Sequence, residues 1–449
     1  MARGKKKEIL TPEERLQAAL VPESEQPYKV PGNWCWTYLT KGAAECLDSF
    51  RKPINASERA NREGDIPYYG ATGQVGWIDN FLTNEQLVLV GEDGAPFLDL
   101  IKDKAYIIEG KAWVNNHAHI LRSRFGTVGN LFLMHYLNVF NYNDFVNGTT
   151  RLKLTQGSMD TMPVPIPPLT EQQRIVNRIE SLFAKLDESK QKAQDALDSF
   201  ETRKAAILHK AFTGELTAQW RKERDVGMES WETHELVECF EIVSGIQKTP
   251  ARSPKDNPVP YLAVANVYRD KIDLSDIRYF EVTPEELEKL KLQDKDILIV
   301  EGNGSGNEIG RCAMWHNELP LCIHQNHIIR MRNKTADVLP EYVLYYLNSQ
   351  AGKSVMQERA KTTAGLFNLS AGKVKTIPLP FASLDEQIEI VRILDDLLVK
   401  EQQAKEAAEG VLEQIDLIKK AILARAFRGE LGTNDPSEES AVELLSSKI

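Results

Sequence analysis

Cysteine is scarce in this chain: five residues among 449, at no regular spacing. Such a set excludes a disulfide framework and fits a reducing compartment, the cytoplasm. Long apolar runs are missing too. The longest, Leu131 to Phe140, is interrupted by His135 and Asn138 and is too short to span a bilayer. Lys5-Lys6-Lys7 is followed by no apolar stretch, so the beginning does not read as a signal peptide. Nor is there an excess of basic charge. The net charge is −10, which on average counts against a nucleic-acid partner. Much of the surplus acid falls near the end of the chain, however, and local basic groups remain, such as Arg122 with Arg124 and Arg330-Met331-Arg332 with Lys334.

Catalytic patterns are equally thin. Gly302-Asn303-Gly304-Ser305-Gly306-Asn307 follows an apolar strand, but Ile309 to Ala313 continues as another strand and no phosphate-binding lysine opens a helix. A loop that lays amides, Asn and Ser against a phosphate or base edge, or a plain hairpin turn, fits better. Asp99 with Glu109-Gly110-Lys111 has the spacing of a metal-dependent nuclease, whose chemistry needs both carboxylates on one Mg²⁺. His117 and His119, with Cys322, His324 and His327, offer zinc-ligand types without zinc-site spacing. Asp256-Asn257-Pro258-Val259-Pro260 only superficially resembles a methyltransferase motif. These patterns leave the chain without an active site, cofactor or metal of its own.

What is present is a duplication. Pro168-Leu169-Thr170-Glu171-Gln172-Gln173 begins a stretch ending Ala211-Phe212-Thr213-Gly214-Glu215-Leu216. The same stretch returns 215 residues later, from Leu384-Asp385-Glu386-Gln387-Ile388 to Ala426-Phe427-Arg428-Gly429-Glu430-Leu431, with no gap. Each copy predicts one long helix. Ile175, Ile179, Leu182, Leu186, Ala193, Ala196, Phe200 and Ile207 recur in steps of three and four. So do Ile390, Leu394, Leu397, Ala404, Ala408, Val411, Ile415, Ile418 and Ile422. Thr170 and Asp385 suit the N-caps, Thr170 with Gln173 suits a capping box, and Gly214 and Gly429 suit the ends. Only Gly410 interrupts the second copy. About forty residues at 1.5 Å each give a rod of roughly 60 Å, and one apolar stripe needs a partner. The natural partner is the other copy, antiparallel and in the same chain; a coiled coil between two chains is the alternative.

The segments before the helices also echo one another. Ile66-Pro67-Tyr68 returns as Val259-Pro260-Tyr261, Leu87 to Val90 as Ile297 to Val300, and His119-Ile120-Leu121-Arg122 as His327-Ile328-Ile329-Arg330. Pro163 and Pro165, an extended entry to the first rod, return as Pro378 and Pro380. The expected architecture is α+β, a pseudo-twofold tandem of two globules and two long helices. Its parts are an arm (1–30), a first globule (31–168), a central helix (169–217), a second globule (218–380), a distal helix (381–432) and a solvated acidic tail (433–449).

Together the twin Leu-x-Glu-Gln-x-x-Ile-Val starts, the twin Ala-Phe-x-Gly-Glu-Leu ends and the Pro-x-Pro entries resemble the specificity subunits of type I restriction–modification systems. The resemblance covers nearly the whole chain. It implies two target-recognition domains on double-stranded DNA, each reading half of a split site, with paired helices fixing the spacer. It further implies docking of two modification (methyltransferase) subunits and of restriction/translocase subunits. Those partners would carry S-adenosylmethionine, ATP and Mg²⁺, and this chain would be non-catalytic. By position, Tyr69, Thr72, Asn116, His117, Arg151 and Lys153 are expected at the first half-site. Asn266, Asn303, Ser305, His324, Gln325, Asn326 and Asn368 are expected at the second. Phe212, Glu215, Phe427 and Glu430 are expected to mark subunit docking.

Overall fold

The computed structural model describes residues 10–302, 308–360 and 368–449. It divides into two compact units, residues 1–194 with 409–449 and residues 195–408. The fold class is α+β, and each unit holds one globule with a portion of both long helices.

In the first unit, four antiparallel strands run in the order Ala44–Cys46, Ala118–Ser123, Leu87–Gly91, Ala105–Ile108. A second sheet runs Gly73–Ile78, Ile66–Gly70, Lys111–Val114, Thr83–Asn84, with Ile66–Gly70 parallel to Lys111–Val114. Alternation along Leu87–Gly91 sends Val88 and Val90 to one core and Leu87 and Leu89 to the other. The first core is closed by the helix Gly126–Leu137 and by Ile175, Val176, Ile179 and Phe427 of the long helices.

The second unit repeats the plan. Its sheet runs Phe240–Ser244, Ile328–Asn333, Ile297–Val300, Cys312–Met314. Its other sheet runs Arg278–Glu281, Pro258–Leu262, Ile323–His324, the last pair again parallel. Here Ile297 and Ile299 face the core shared with the helix Pro340–Asn348, while Leu298 and Val300 face the other. The counterpart of Val88 is therefore Ile297, one residue away from the alignment suggested by sequence. A one-residue slip would turn every side chain to the wrong face. The echo of His119 in His327 shifts as well. The Glu92 amide donates to His117 O and the Glu301 amide to His327 O, so His117 is the counterpart of His327.

The long helices pair antiparallel within each unit. In the first, Lys190 meets Asp416 at 3.5 Å and Lys419 meets Asp187 at 2.6 Å. In the second, Arg203 meets Glu401 at 2.8 Å and Lys405 lies over the Phe200 ring. Several sequence expectations need correction. The first copy is two helices, Leu169–Asp198 and Phe200–Phe212, which meet at Ser199. Gly410 interrupts nothing: Leu384–Ala426 is continuous. Thr170 and Asp385 lie inside the first turns rather than capping them. The Pro168 carbonyl accepts the Gln172 amide, Gln173 bonds Asn177 instead of a cap, and Ser383 Oγ accepts the Glu386 amide at 3.4 Å. On the second helix Ala404 is exposed and Val411 and Ile418 are each 41% exposed, so the seam there passes through Ala408 and Ile415 instead. Gly214 and Gly429 do end their helices, with φ of +77° and +74°.

The Pro-x-Pro entries are strands rather than linkers. Pro163–Ile166 pairs with Cys35–Tyr38, and Pro378–Phe381 pairs with Glu232–Glu235. Nor is the acidic tail solvated. Ala441 and Leu445 are fully buried, the Ala441 amide donates to Asn33 O, and Glu438 pairs with Arg174 at 2.7 Å. The arm forms the capped helix Pro12–Ala19, with Ala19 and Val21 buried.

Candidate nucleic-acid interface

The first unit gathers its expected residues around two acids. Gly91 ends a strand, and Glu92 and Asp93 follow in the turn before Gly94, whose φ is +73°. Asp93 Oδ1 takes His117 Nδ1 at 2.6 Å and Arg151 Nη2 at 2.9 Å. Glu92 takes Lys153 Nζ at 2.9 Å and also Arg51. Burial would raise the Glu92 carboxyl, but Arg51 and Lys153 hold it below its ordinary value. Asn116 is exposed beside His117, and its carbonyl accepts from Arg51 at 3.5 Å. The preceding Asn115 amide donates to Tyr69 O at 3.1 Å, which ties this turn to the hairpin holding Tyr69 and exposed Thr72. Tyr69 is half-buried beside Tyr106, and burial raises its hydroxyl. All six residues expected at the first half-site thus lie on linked turns.

Beneath them sits an ionic cluster that sequence reading missed. His119 is 1% exposed. Its Nδ1 lies 2.6 Å from Asp48 Oδ2 and its Nε2 lies 2.9 Å from Leu154 O. Burial would raise the Asp48 carboxyl, but His119, the Ile120 amide and Arg51 bring it below its ordinary value. Asp48, Glu92 and His119 are the one group of three such side chains close enough to hold an ion among the described residues. Arg51 and Lys153 already occupy their acceptors, which makes the cluster a brace rather than a metal centre. No sequence spacing signals it, because Asp48 and His119 are 71 residues apart.

The second unit places its residues less uniformly. The Glu301 amide donates to His327 O and the Leu369 amide to Glu301 O, as the Glu92 amide donates to His117 O and the Leu154 amide to Glu92 O. Asn326 thereby matches Asn116, and His327 faces Glu301 at 3.3 Å. Gln325 and Asn326 are half-buried and Asn368 is exposed. Asn303 and Ser305 lie outside the described residues.

Two residues expected at the second half-site are interior instead. Asn266 is 3% exposed, and its amide is spent on Ala263 N, Asp273 O and Asp276 O. His324 is fully buried, bonds Ile328 O through Nδ1 at 2.9 Å, and leaves Nε2 unpartnered. Burial pushes its imidazolium down to about 4, with Arg330 and Arg332 adding to the effect. His327, three residues later, is exposed.

Of the expected docking residues, Phe427 is 1% exposed and packs edge-on to Phe132 and Tyr136, each at 5.1 Å. Phe212 packs against Tyr342 and Tyr346 at 5.3 Å. Phe427 is thus part of the first core, whereas Phe212 is half-buried against the second. Glu215 and Glu430 are exposed. The nuclease alternative finds no support in the geometry. Asp99 accepts the amides of Ile101 and Lys102, while Glu109 accepts from Gln86. The two acids form no ion-holding group among the described residues. The Cys322 thiol sits 3.4 Å from Ile323 O, and burial pushes it up to about 12.

A family profile described as Type I restriction modification DNA specificity domain matches residues 45–197 and 228–409. The specificity subunit of the type I restriction enzyme EcoKI of Escherichia coli strain K12 is 29% identical over 310 residues, 67% of this chain and 65% of that protein. The StySPI specificity subunit of Salmonella potsdam is 25% identical over 292 residues, 65% of this chain and 62% of that protein. The chain thus aligns with slightly under two thirds of either relative's length. In fold, the HsdS subunit of Thermoanaerobacter tengcongensis matches 91% of this chain and 100% of its own at a TM-score of 0.63, with 18% identity.

Proposed function

Because the chain belongs to the type I restriction–modification DNA specificity family, we propose that it reads double-stranded DNA as two separated half-sites, one for each globule, and catalyses nothing itself. The observation that carries this is the repeated scaffold with unlike loops. The Glu92–His117 and Glu301–His327 turns are built alike and share Asn116 and Asn326, yet the first carries Arg151 and Lys153 beside it and the second carries Gln325 and Asn368. A common frame with different exposed polar groups is what two different base sequences require.

The chain works in the cytoplasm as the address-reading part of an assembly with two modification subunits and with restriction/translocase subunits. S-adenosylmethionine, ATP and Mg²⁺ act on those partners. With a net charge of −10, the chain relies on its partners for much of the phosphate neutralisation. The antiparallel helices fix the spacer, as dimer geometry fixes half-site spacing elsewhere.

Co-expression with a modification subunit, followed by mapping of methylated adenines in host DNA, tests the proposal. A bipartite motif with a constant gap is expected. Exchanging residues 31–168 for the same segment of another family member should change one half of the motif and spare the other. Lengthening either long helix should change the gap or abolish methylation. Methylation at ungapped sites, or an unchanged motif after the exchange, would refute it.

A further inference from the structure

Two different demands act on the duplicated globules. Each must meet different bases, and, under the function proposed above, each must meet the same partner subunit. Surface that differs between the globules serves the first demand. Exposed surface that has stayed alike serves the second, unless the fold itself needs it.

One exposed feature has kept its residue types and its register position. In the first unit Pro67 pairs across the sheet with Trp77, and in the second Pro260 pairs with Tyr279. The register is anchored independently, since Tyr68 lies beside Trp113 in the parallel pair and Tyr261 beside Ile323. Trp77 and Tyr279 therefore hold one position, each on the outermost strand of its sheet. They are 57% and 50% exposed. The next residue, Ile78 or Phe280, is buried and serves the core, and an acid follows, Asp79 or Glu281. The pattern aromatic, buried apolar, acid thus occurs twice, as Trp77-Ile78-Asp79 and Tyr279-Phe280-Glu281.

The fold does not explain the exposed aromatics. A single exposed aromatic is ordinary, but two at one register position in copies whose loops have diverged are not accounted for by scatter. Edge strands favour charge or proline, and a bare aromatic is a liability unless something covers it. Nor does either position offer DNA a free cation: Asp79 takes Arg62 at 2.9 Å, and Glu281 takes the amides of Lys255 and Asn257, each at 2.9 Å. Half-exposed Trp and Tyr are the side chains that anchor protein interfaces.

We propose that Trp77 and Tyr279 are equivalent anchors on which two copies of one protein, the modification subunit, dock. The matching surface on that subunit is an apolar pocket that takes a flat aromatic ring. The proposal rests on the function stated above.

The test uses the co-expressed complex. Native mass spectrometry counts modification subunits for the unaltered chain, for Trp77→Ala, for Tyr279→Ala and for the double variant. Two, one, one and none are expected with free modification subunit several-fold above the parental dissociation constant and well below about 30 times it, given about a 30-fold loss of affinity per site, the scale of an interface hot spot. Trp77→Tyr and Tyr279→Phe keep a ring and should bind two, and thermal unfolding of each variant separates docking from misfolding. A folded double variant that binds two subunits with unchanged affinity overturns the proposal. So does one that binds two subunits but loses DNA affinity, which would assign the face to DNA. If the unaltered chain itself never takes up two modification subunits, the functional proposal falls and takes this one with it.

Discussion

His324 offers the most exacting test of the structure. It occupies the strand position that Val114 fills in the first unit, since Leu262 lies beside His324 as Tyr69 lies beside Val114. Its ordinary value is 6.5 and burial lowers it to about 4. The unfolded chain therefore binds a proton that the folded chain refuses between those two values. The sign follows: stability is full above about pH 6.5 and falls as the pH drops towards 4. At pH 5 the unfolded imidazole is almost wholly protonated and the folded one is not. That difference, near 1.5 pH units at 1.36 kcal/mol each, removes roughly 2 kcal/mol relative to pH 8. His324→Val abolishes the term. The variant loses the Nδ1 bond, but Ile328 O keeps the Gly245 amide at 3.3 Å, and the unpartnered Nε2 disappears with the ring. At pH 8 the variant should therefore sit within about 1 kcal/mol of the parent. Pulse proteolysis in urea, reading cleavage of the second unit at pH 8 and pH 5, measures both. A parent and a variant with the same loss between these pH values would show that His324 is not the buried neutral group described here.

Other perturbations have equally definite outcomes. Arg221→Ala removes the partner of Glu386, which is itself 0% exposed and also holds Thr217 and Trp231. The second unit should lose about 3–5 kcal/mol in the same proteolysis assay, as expected for an orphaned buried charge. Gly429→Ala places a Cβ 2.4 Å from Pro31 Cγ at φ +74°; a loss of about 1–3 kcal/mol confined to the first unit is expected from urea denaturation. Asp48→Asn leaves Arg51 and His119 short of a charge. It should weaken DNA binding by the assembled complex in a filter-binding assay, and no change would remove the cluster from the interface. Because the Asp48 carboxyl is lowered from 3.8, its contribution persists above that value and disappears as the pH falls below it.

The duplication was legible because helix ends and seams leave a periodic record, and Leu169 to Leu216 kept it intact through Leu384 to Leu431. The globule alignment was not, because strands alternate with a period of two. In Leu87–Gly91 and Ile297–Val300 nearly every residue is apolar and buried on both faces, so no polar residue marks the register. Thr170 looked like a cap, but the Pro168 carbonyl had already begun the helix. The break at Ser199 has no counterpart in the sequence pattern, and Ser189 makes the same hydroxyl–carbonyl bond without one. Asn266 and His324 were chosen as polar side chains on turns; whether such a group faces solvent or its own backbone depends on neighbours far away in sequence. Tyr69, Asn116, His117, Arg151 and Lys153 were named by position alone, and the acids Glu92 and Asp93 that gather the last three gave no signal in the sequence.

The buried tail has a consequence for how the chain is made. The unit that begins at the N-terminus needs residues 409–449 for completion, whereas the other uses only residues 195–408. A ribosome therefore delivers everything the later-starting half requires while the earlier one still waits with Ile175, Val176 and Phe132 lacking their cover from Leu423 and Phe427. A stop codon shortly after residue 408 would leave the distal half intact and the proximal half with an open apolar wound, a nascent chain marked for chaperones at the end opposite to the lesion.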